Sequence, residues 1–267
     1  MNLRRVLAVL CVLVAGAIFT TPAWAVRYVA LGDSYSSGTG TRNYYDTNCQ
    51  KSVTSYPYRI HNARPSWTFV HAACSGAKTG AIINGGQTSS LTSATDRVSY
   101  TIGGNDAGFA SVITECAKPG WASNCNGAID TAQNYINNTL PGRLDQVNNT
   151  IKSRSPNAKV VVLDYPRLFN GTDCNGGTWF SGSEMTRLNQ TADLLRTRIS
   201  QAASRAGANF VFRDVIPPFI GHAVCDGGAG SSTEWINGLS WPVGESYHPK
   251  TTGHANGYFP VANGAIG

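Results

Sequence analysis

The sequence predicts an α/β domain built around a parallel sheet, on three observations. Five short β-rich runs recur along the chain, each closing on turn or small residues. Helical stretches lie between them, the alternation that produces parallel βαβ units and a helix-covered sheet. One run, Lys159–Asp164, sets Val160, Val161, Val162 and Leu163 side by side. An unbroken apolar run of that length reads as a strand buried on both faces.

The five runs are, in order, Val26–Leu31, Trp67–Ala72, Arg97–Ile102, Lys159–Asp164 and Asn209–Asp214. Leu140, Leu144, Val147 and Ile151 recur at helical spacing and share one helix face, with Pro141 suited to the first turn. Ser181 and Glu184 form a capping-box pattern. Met185, Leu188, Ala192, Leu195, Ile199 and Ala202 continue the stripe behind it, and Gly207 is placed to end that helix. The stretch Gly221–Gly244 has Gly and Ser clusters and little periodicity, and reads as an ordered loop held by Cys225. No linker, repeat or internal boundary is evident. Residues 26–267 are expected to form a single domain, long enough to bury its own core.

Residues 1–25 are expected to be an export signal. Arg4 and Arg5 form a positive start, Val6–Phe19 is an unbroken run of apolar and small residues, and Ala23-Trp24-Ala25 is a small-x-small cleavage pattern. The run falls short of the roughly 20 residues a membrane helix needs. The expected location is therefore secreted, extracellular. Charged residues make up 13% of the chain and the basic ones are scattered, which argues against a nucleic-acid partner.

Cys11 lies in the signal. Cys49, Cys74, Cys116, Cys125, Cys174 and Cys225 remain, an even number that in an exported chain implies disulfides. Six cysteines allow 15 pairings, and the sequence leaves the choice open, neighbour pairing being the simplest. No Cys-x-x-Cys or Cys/His pair at ligand spacing supports a zinc site, and no metal is expected.

In a parallel sheet the functional loops follow the carboxyl ends of the strands. The first strand runs into Gly32-Asp33-Ser34-Tyr35-Ser36-Ser37-Gly38, where Ser34 is a candidate nucleophile as well as a candidate helix cap. A phosphate-cradling loop is disfavoured there, because no Lys precedes Lys51. The second ends in Ala73-Cys74-Ser75-Gly76-Ala77, where Gly76 can present a backbone N–H. The third ends in Gly103-Gly104-Asn105-Asp106, where the Asn105 amide can donate to a developing oxyanion. Near the C-terminus stands Gly244-Glu245-Ser246-Tyr247-His248-Pro249. His248 is the candidate general base, its backbone biased out of α conformation by Pro249. His61, His71, His222 and His254 lack comparable surroundings and read as structural.

Each signal alone is weak; together they fall at successive strand ends in a consistent order. With these motifs in place the chain resembles the SGNH (GDSL) hydrolase family, and within it the secreted actinomycete lipases and esterases. Gly-Asp-Ser at Ser34, Gly76, Gly-Gly-Asn-Asp at Asn105 and His248 match four of the family's blocks, with Tyr35 as the fourth letter of the first. The resemblance implies a three-layer α/β/α sandwich with a five-stranded parallel sheet, the flavodoxin-like SGNH fold, and no cofactor. It implies Ser34 as nucleophile, His248 as base, and an oxyanion hole of the Ser34 N–H, the Gly76 N–H and the Asn105 side chain. It also implies neighbour-paired disulfides.

One departure stands out. Many relatives carry Asp three residues before the His, where this chain has Glu245. Either the longer Glu245 carboxylate or the Ser246 main-chain carbonyl would then orient His248, and the reading leans to the carbonyl, giving a Ser–His dyad. The expected function is a secreted carboxylic ester hydrolase, a lipase or esterase with a possible reach to phospholipids, working through a Ser34 acyl-enzyme. The expected partner is an ester or lipid substrate, met by a monomer in transient contact with lipid surfaces. Tyr35, Tyr44, Tyr45 and Phe109, with Trp121, Trp179 and Phe180, are available to line an acyl groove. A carbohydrate acetylesterase of the same family is the alternative, and a non-catalytic secreted binding protein the more distant one.

Overall fold

The computed structural model describes residues 25–267; the expected export signal lies outside the described residues except for Ala25. The central sheet has five parallel strands in the spatial order β4-β1-β5-β6-β7. They are β1 (Arg27–Ala30), β4 (Thr68–His71), β5 (Arg97–Tyr100), β6 (Lys159–Leu163) and β7 (Phe210–Arg213). Counted among themselves this is the order 2-1-3-4-5, with the switch point at β1 between β4 and β5. β2 (Tyr44–Asp46) and β3 (Lys51–Ser52) form a separate antiparallel hairpin.

Each run expected to be a strand is one, shortened by a residue or two at its ends. The Val-rich run is β6, flanked by β5 and β7 and buried from Val160 to Leu163, because a central parallel strand has apolar neighbours on both faces. The helices are α1 (Ser34–Ser37), α2 (Tyr56–Asn62), α3 (Gly80–Ile83), α4 (Phe109–Cys116) and α5 (Cys125–Asn138). They continue with α6 (Leu140–Arg154), α7 (Gly182–Ala206), α8 (Ile216–Phe219) and α9 (Phe259–Ile266). A π-helical turn, Gly253–Tyr258, leads into α9. α2 and α9 lie against the sheet as one layer. α7 packs on β6 and β7 as the other, with α5 and α6 against it and α3 and α4 beyond.

α6 buries Leu140, Leu144, Val147 and Ile151, the stripe read from spacing. α7 begins at Ser181 with both halves of a capping box formed. The hairpin, α4, α5 and the π-helical turn were not legible as elements. α5 is rich in Asn, Asp, Gln and Thr and buries only Cys125, Ile129, Ala132 and Ile136, so its helical state rests on packing against α7.

Three disulfides are present: Cys49–Cys74, Cys116–Cys125 and Cys174–Cys225. The first ties the turn between β2 and β3 to the loop carrying Gly76, the second closes the α4–α5 turn, and the third joins the loop after β6 to Gly221–Gly244.

Candidate active site

The carboxyl ends of β1, β4 and β5 face one crevice, at the switch point of the sheet. β1 ends in a turn that only glycine can make. Gly32 has φ +117, and a Cβ there would lie 2.3 Å from the Thr101 carbonyl oxygen. The buried amide of Gln87 brackets the same residue, accepting from the Gly32 N–H at 2.8 Å and donating to the Gly32 carbonyl at 2.8 Å. Asp33 then caps α1, accepting from the Tyr35 N–H, and Ser34 is the first helical residue. So Ser34 stands at a helix start and also faces the crevice: the capping role belongs to Asp33.

The Ser34 hydroxyl is 2.8 Å from His248 Nε2. His248 Nδ1 is 3.0 Å from the Ser246 carbonyl oxygen. A carbonyl can only accept, so Nδ1 carries the ring proton and Nε2 offers its lone pair to the Ser34 hydroxyl. Burial pushes His248 down to about 4, against a smaller upward effect of the Ser246 carbonyl and neighbouring groups. The imidazole is therefore neutral and able to take a proton across the neutral range.

That geometry depends on Tyr247, whose φ is +60, an uncommon conformation for a bulky residue. It turns the chain so that residue 246 aims its carbonyl at the ring of residue 248. Two contacts hold the turn. The Tyr35 hydroxyl donates to the Tyr247 carbonyl at 2.7 Å, and the Tyr247 N–H donates to the Asn237 carbonyl at 2.9 Å. Glu245 is buried but turned away from the imidazole. It accepts from Arg42 Nε at 2.7 Å and from the Tyr44 hydroxyl at 2.8 Å.

Neither the Ser34 N–H nor the Gly76 N–H has an acceptor among the described residues. Gly76 has φ +77, and nothing lies within 4 Å of where a Cβ would stand. Asn105 donates one amide hydrogen to the Ala77 carbonyl at 3.0 Å, which leaves the other free. Asp106 accepts from the Thr79 N–H at 2.9 Å and hydroxyl at 2.6 Å, tying the Gly76 and Asn105 loops together.

Tyr165, just past β6, carried no sequence signal. Its hydroxyl donates to Asp33 Oδ2 at 2.5 Å and accepts from the Gly104 N–H at 3.2 Å. One phenol thus joins the acid before Ser34 to the glycine before Asn105. Burial pushes the Asp33 carboxyl up to about 6, while bonds from Tyr165, Thr101 and the Tyr35 N–H oppose that rise.

A recess of about 710 Å³, its open mouth included, starts at Ser34 and Asn105 and runs between α4, α5 and α7. Its inner wall is aliphatic: Val112 and Ile113 from α4, Ala132 and Ile136 from α5, and Leu188, Ala192 and Leu195 from α7. Of the seven aromatic residues considered for an acyl groove, Tyr35 and Phe109 line the recess. Tyr44, Tyr45, Trp121, Trp179 and Phe180 do not; Phe180 is buried against Phe169 and Tyr247. A recess between helices is walled by their inward stripes, and those here are aliphatic.

Residues 30–255 match the model of the GDSL-like lipase/acylhydrolase family. Lipase 1 of Streptomyces coelicolor is 43% identical over 266 residues, covering 95% of each chain. The crystal structure of an extracellular lipase from Streptomyces rimosus superposes with a TM-score of 0.82 at 42% identity, covering 91% of this chain and 100% of that one. Phospholipase A1 from Streptomyces albidoflavus gives a TM-score of 0.82 at 39% identity over the same shares.

Proposed function

The chain belongs to the GDSL-like lipase/acylhydrolase family and is a secreted ester hydrolase; from that premise we propose that Ser34 and His248 form its catalytic dyad, acting on carboxylic esters of lipids. The observation that carries the proposal is the 2.8 Å contact from the Ser34 hydroxyl to His248 Nε2, at the mouth of an aliphatic recess.

Ser34 Oγ attacks the ester carbonyl as its proton passes to His248 Nε2. The imidazolium keeps its Nδ1 proton on the Ser246 carbonyl, which fixes the tautomer but offers less charge stabilisation than a carboxylate would. The Ser34 N–H, the Gly76 N–H and the Asn105 amide receive the oxyanion, each such donor being worth about 3 kcal/mol. Collapse of the tetrahedral intermediate breaks the C–O bond, and His248 returns its proton to the leaving alcohol. Water, deprotonated by His248, then attacks the acyl-enzyme and releases the acid. The recess takes the acyl chain, which favours chains longer than acetyl and weighs against a carbohydrate acetylesterase. The same reading takes residues 26–267 as one catalytic domain, with residues 1–25 removed on export.

A fluorophosphonate probe is expected to label the wild-type enzyme at Ser34 and to leave Ser34→Ala unlabelled, with ester hydrolysis lost by at least about a thousandfold in the variant. Unchanged labelling of the variant would place the nucleophile elsewhere.

A further inference from the structure

Large apolar side chains are exposed unevenly. Among the described residues seven are exposed, and four of these sit on two adjoining loops: Trp241 at 83%, Val243 at 57%, Trp179 at 55% and Leu239 at 39%. The loops touch. A Cβ on Gly177 would meet the Leu239 side chain at 3.4 Å, and one on Gly238 would collide with Asn175. The stretches Asn175–Phe180 and Ile236–Gly244 contain no charged residue.

Both loops are anchored to the segment that carries the base. The Phe180 ring packs edge-on against Tyr247, with centroids 5.8 Å apart. The Ser240 N–H donates to Ser246 Oγ at 3.0 Å. Arg42, the cation bonded to the second loop, is paired: its Nε donates to Glu245 at 2.7 Å and its Nη2 to the Trp241 carbonyl at 3.0 Å. The result is an exposed, charge-free rim of Trp, Leu and Val beside His248.

We propose that this rim is the surface with which the enzyme seats itself on zwitterionic lipid aggregates, so that an acyl ester leaves the lipid phase directly beside Ser34. The proposal rests on the ester-hydrolase reading of that site. Three features select lipid as the occupant. Tryptophan joins a broad apolar body to one polar N–H, a composition suited to the headgroup boundary. The rim is continuous with the segment that places the catalytic base, and the aliphatic recess opens at the nucleophile of the same site. The paired Arg42 leaves no free charge in the rim, so attachment is apolar and insensitive to salt.

The test uses the wild-type enzyme and the double variant Trp179→Ser, Trp241→Ser with vesicles of an ether-linked phosphatidylcholine, which an ester hydrolase leaves intact. The wild type is expected to co-sediment with the vesicles at low and high salt alike. The variant's partition should fall at least about tenfold, by loss of two large apolar side chains from the contact. Its kcat/KM on a water-soluble short-chain ester should stay within about twofold of wild type. Equal partition of the two proteins overturns the proposal, as does attachment that vanishes in high salt. So does an equal fall in soluble-ester turnover, which would make the loops supports for His248. Wild-type self-association through this face, without vesicle attachment, would assign the rim to a second copy and also overturn it. Attachment to the ether lipid needs no chemistry, so this arm reads the rim whether or not Ser34 proves to be the nucleophile.

Discussion

Glu245 occupies the position where a third catalytic acid would be sought, three residues before His248. Both of its oxygens are engaged elsewhere, by Arg42 and by Tyr44. It fastens the hairpin side of the crevice to the segment bearing the base. Glu245→Gln is therefore expected to change kcat by less than about tenfold while lowering stability. A carboxylate acting on the imidazole would cost about ten-thousandfold, and a loss near that size in steady-state kinetics would sink the carbonyl assignment. Tyr165 makes the opposite case, a positioning residue with no motif around it. Removing its hydroxyl leaves the Asp33 carboxylate and the Gly104 N–H each short of a partner, and cuts one of the ties between the Asn105 loop and the Ser34 loop. Tyr165→Phe should lower kcat by about ten- to a hundredfold with KM within about twofold, as expected for a residue that positions donors acting mainly in the transition state. Tyr100→Phe is the control, because the Tyr100 hydroxyl donates to Asn148 at 2.5 Å within the core, away from the crevice. Equal kcat losses in the two variants, after matching for thermal stability, would reduce Tyr165 to a core contact.

At the scale of elements, the recess is a product of helix packing. α4, α5 and α7 meet with small residues, Ala132 and Ala192, where larger ones would close the gap. The Cys116–Cys125 bond holds the α4–α5 turn, and the Gln133 amide donates to the Thr191 hydroxyl at 2.8 Å across α5 and α7. Ala192→Phe places a ring in that space. Hydrolysis of long-chain esters is expected to fall at least about tenfold, while acetate and butyrate esters, which reach only the mouth, stay within about twofold. Overpacking should cost about 1–3 kcal/mol of stability. An unchanged rate profile across acyl lengths would mean that the chain lies elsewhere.

At the scale of the molecule, the helix layers and the Gly221–Gly244 loop all close on one sheet, and the core cluster runs from Tyr28 in β1 to Ile266 in α9. The mature, disulfide-intact chain should unfold in a single calorimetric transition with equal calorimetric and van't Hoff enthalpies; two resolved transitions would contradict a single domain. The fold was legible because its signals are local and periodic. Val160–Leu163 declare a buried parallel strand, and the α6 and α7 stripes declare helices, whatever lies far along the chain. Ser34, Gly76, Asn105 and His248 were candidates for the same reason, each a short pattern at a strand end. The partners of those residues were not legible. Ser34 and His248 stand 214 positions apart, and Tyr165 is 132 positions from Asp33. No local pattern shows that Glu245 turns to Arg42, or that Tyr247 at φ +60 delivers the Ser246 carbonyl to the ring. The sequence by itself determined the strands, the main helices and the chemical types offered at the crevice, because period and turn chemistry act over a few residues. Tertiary structure alone decided which groups touch and which way Glu245 faces, and gave the recess its aliphatic walls, because these follow from packing between elements distant in sequence.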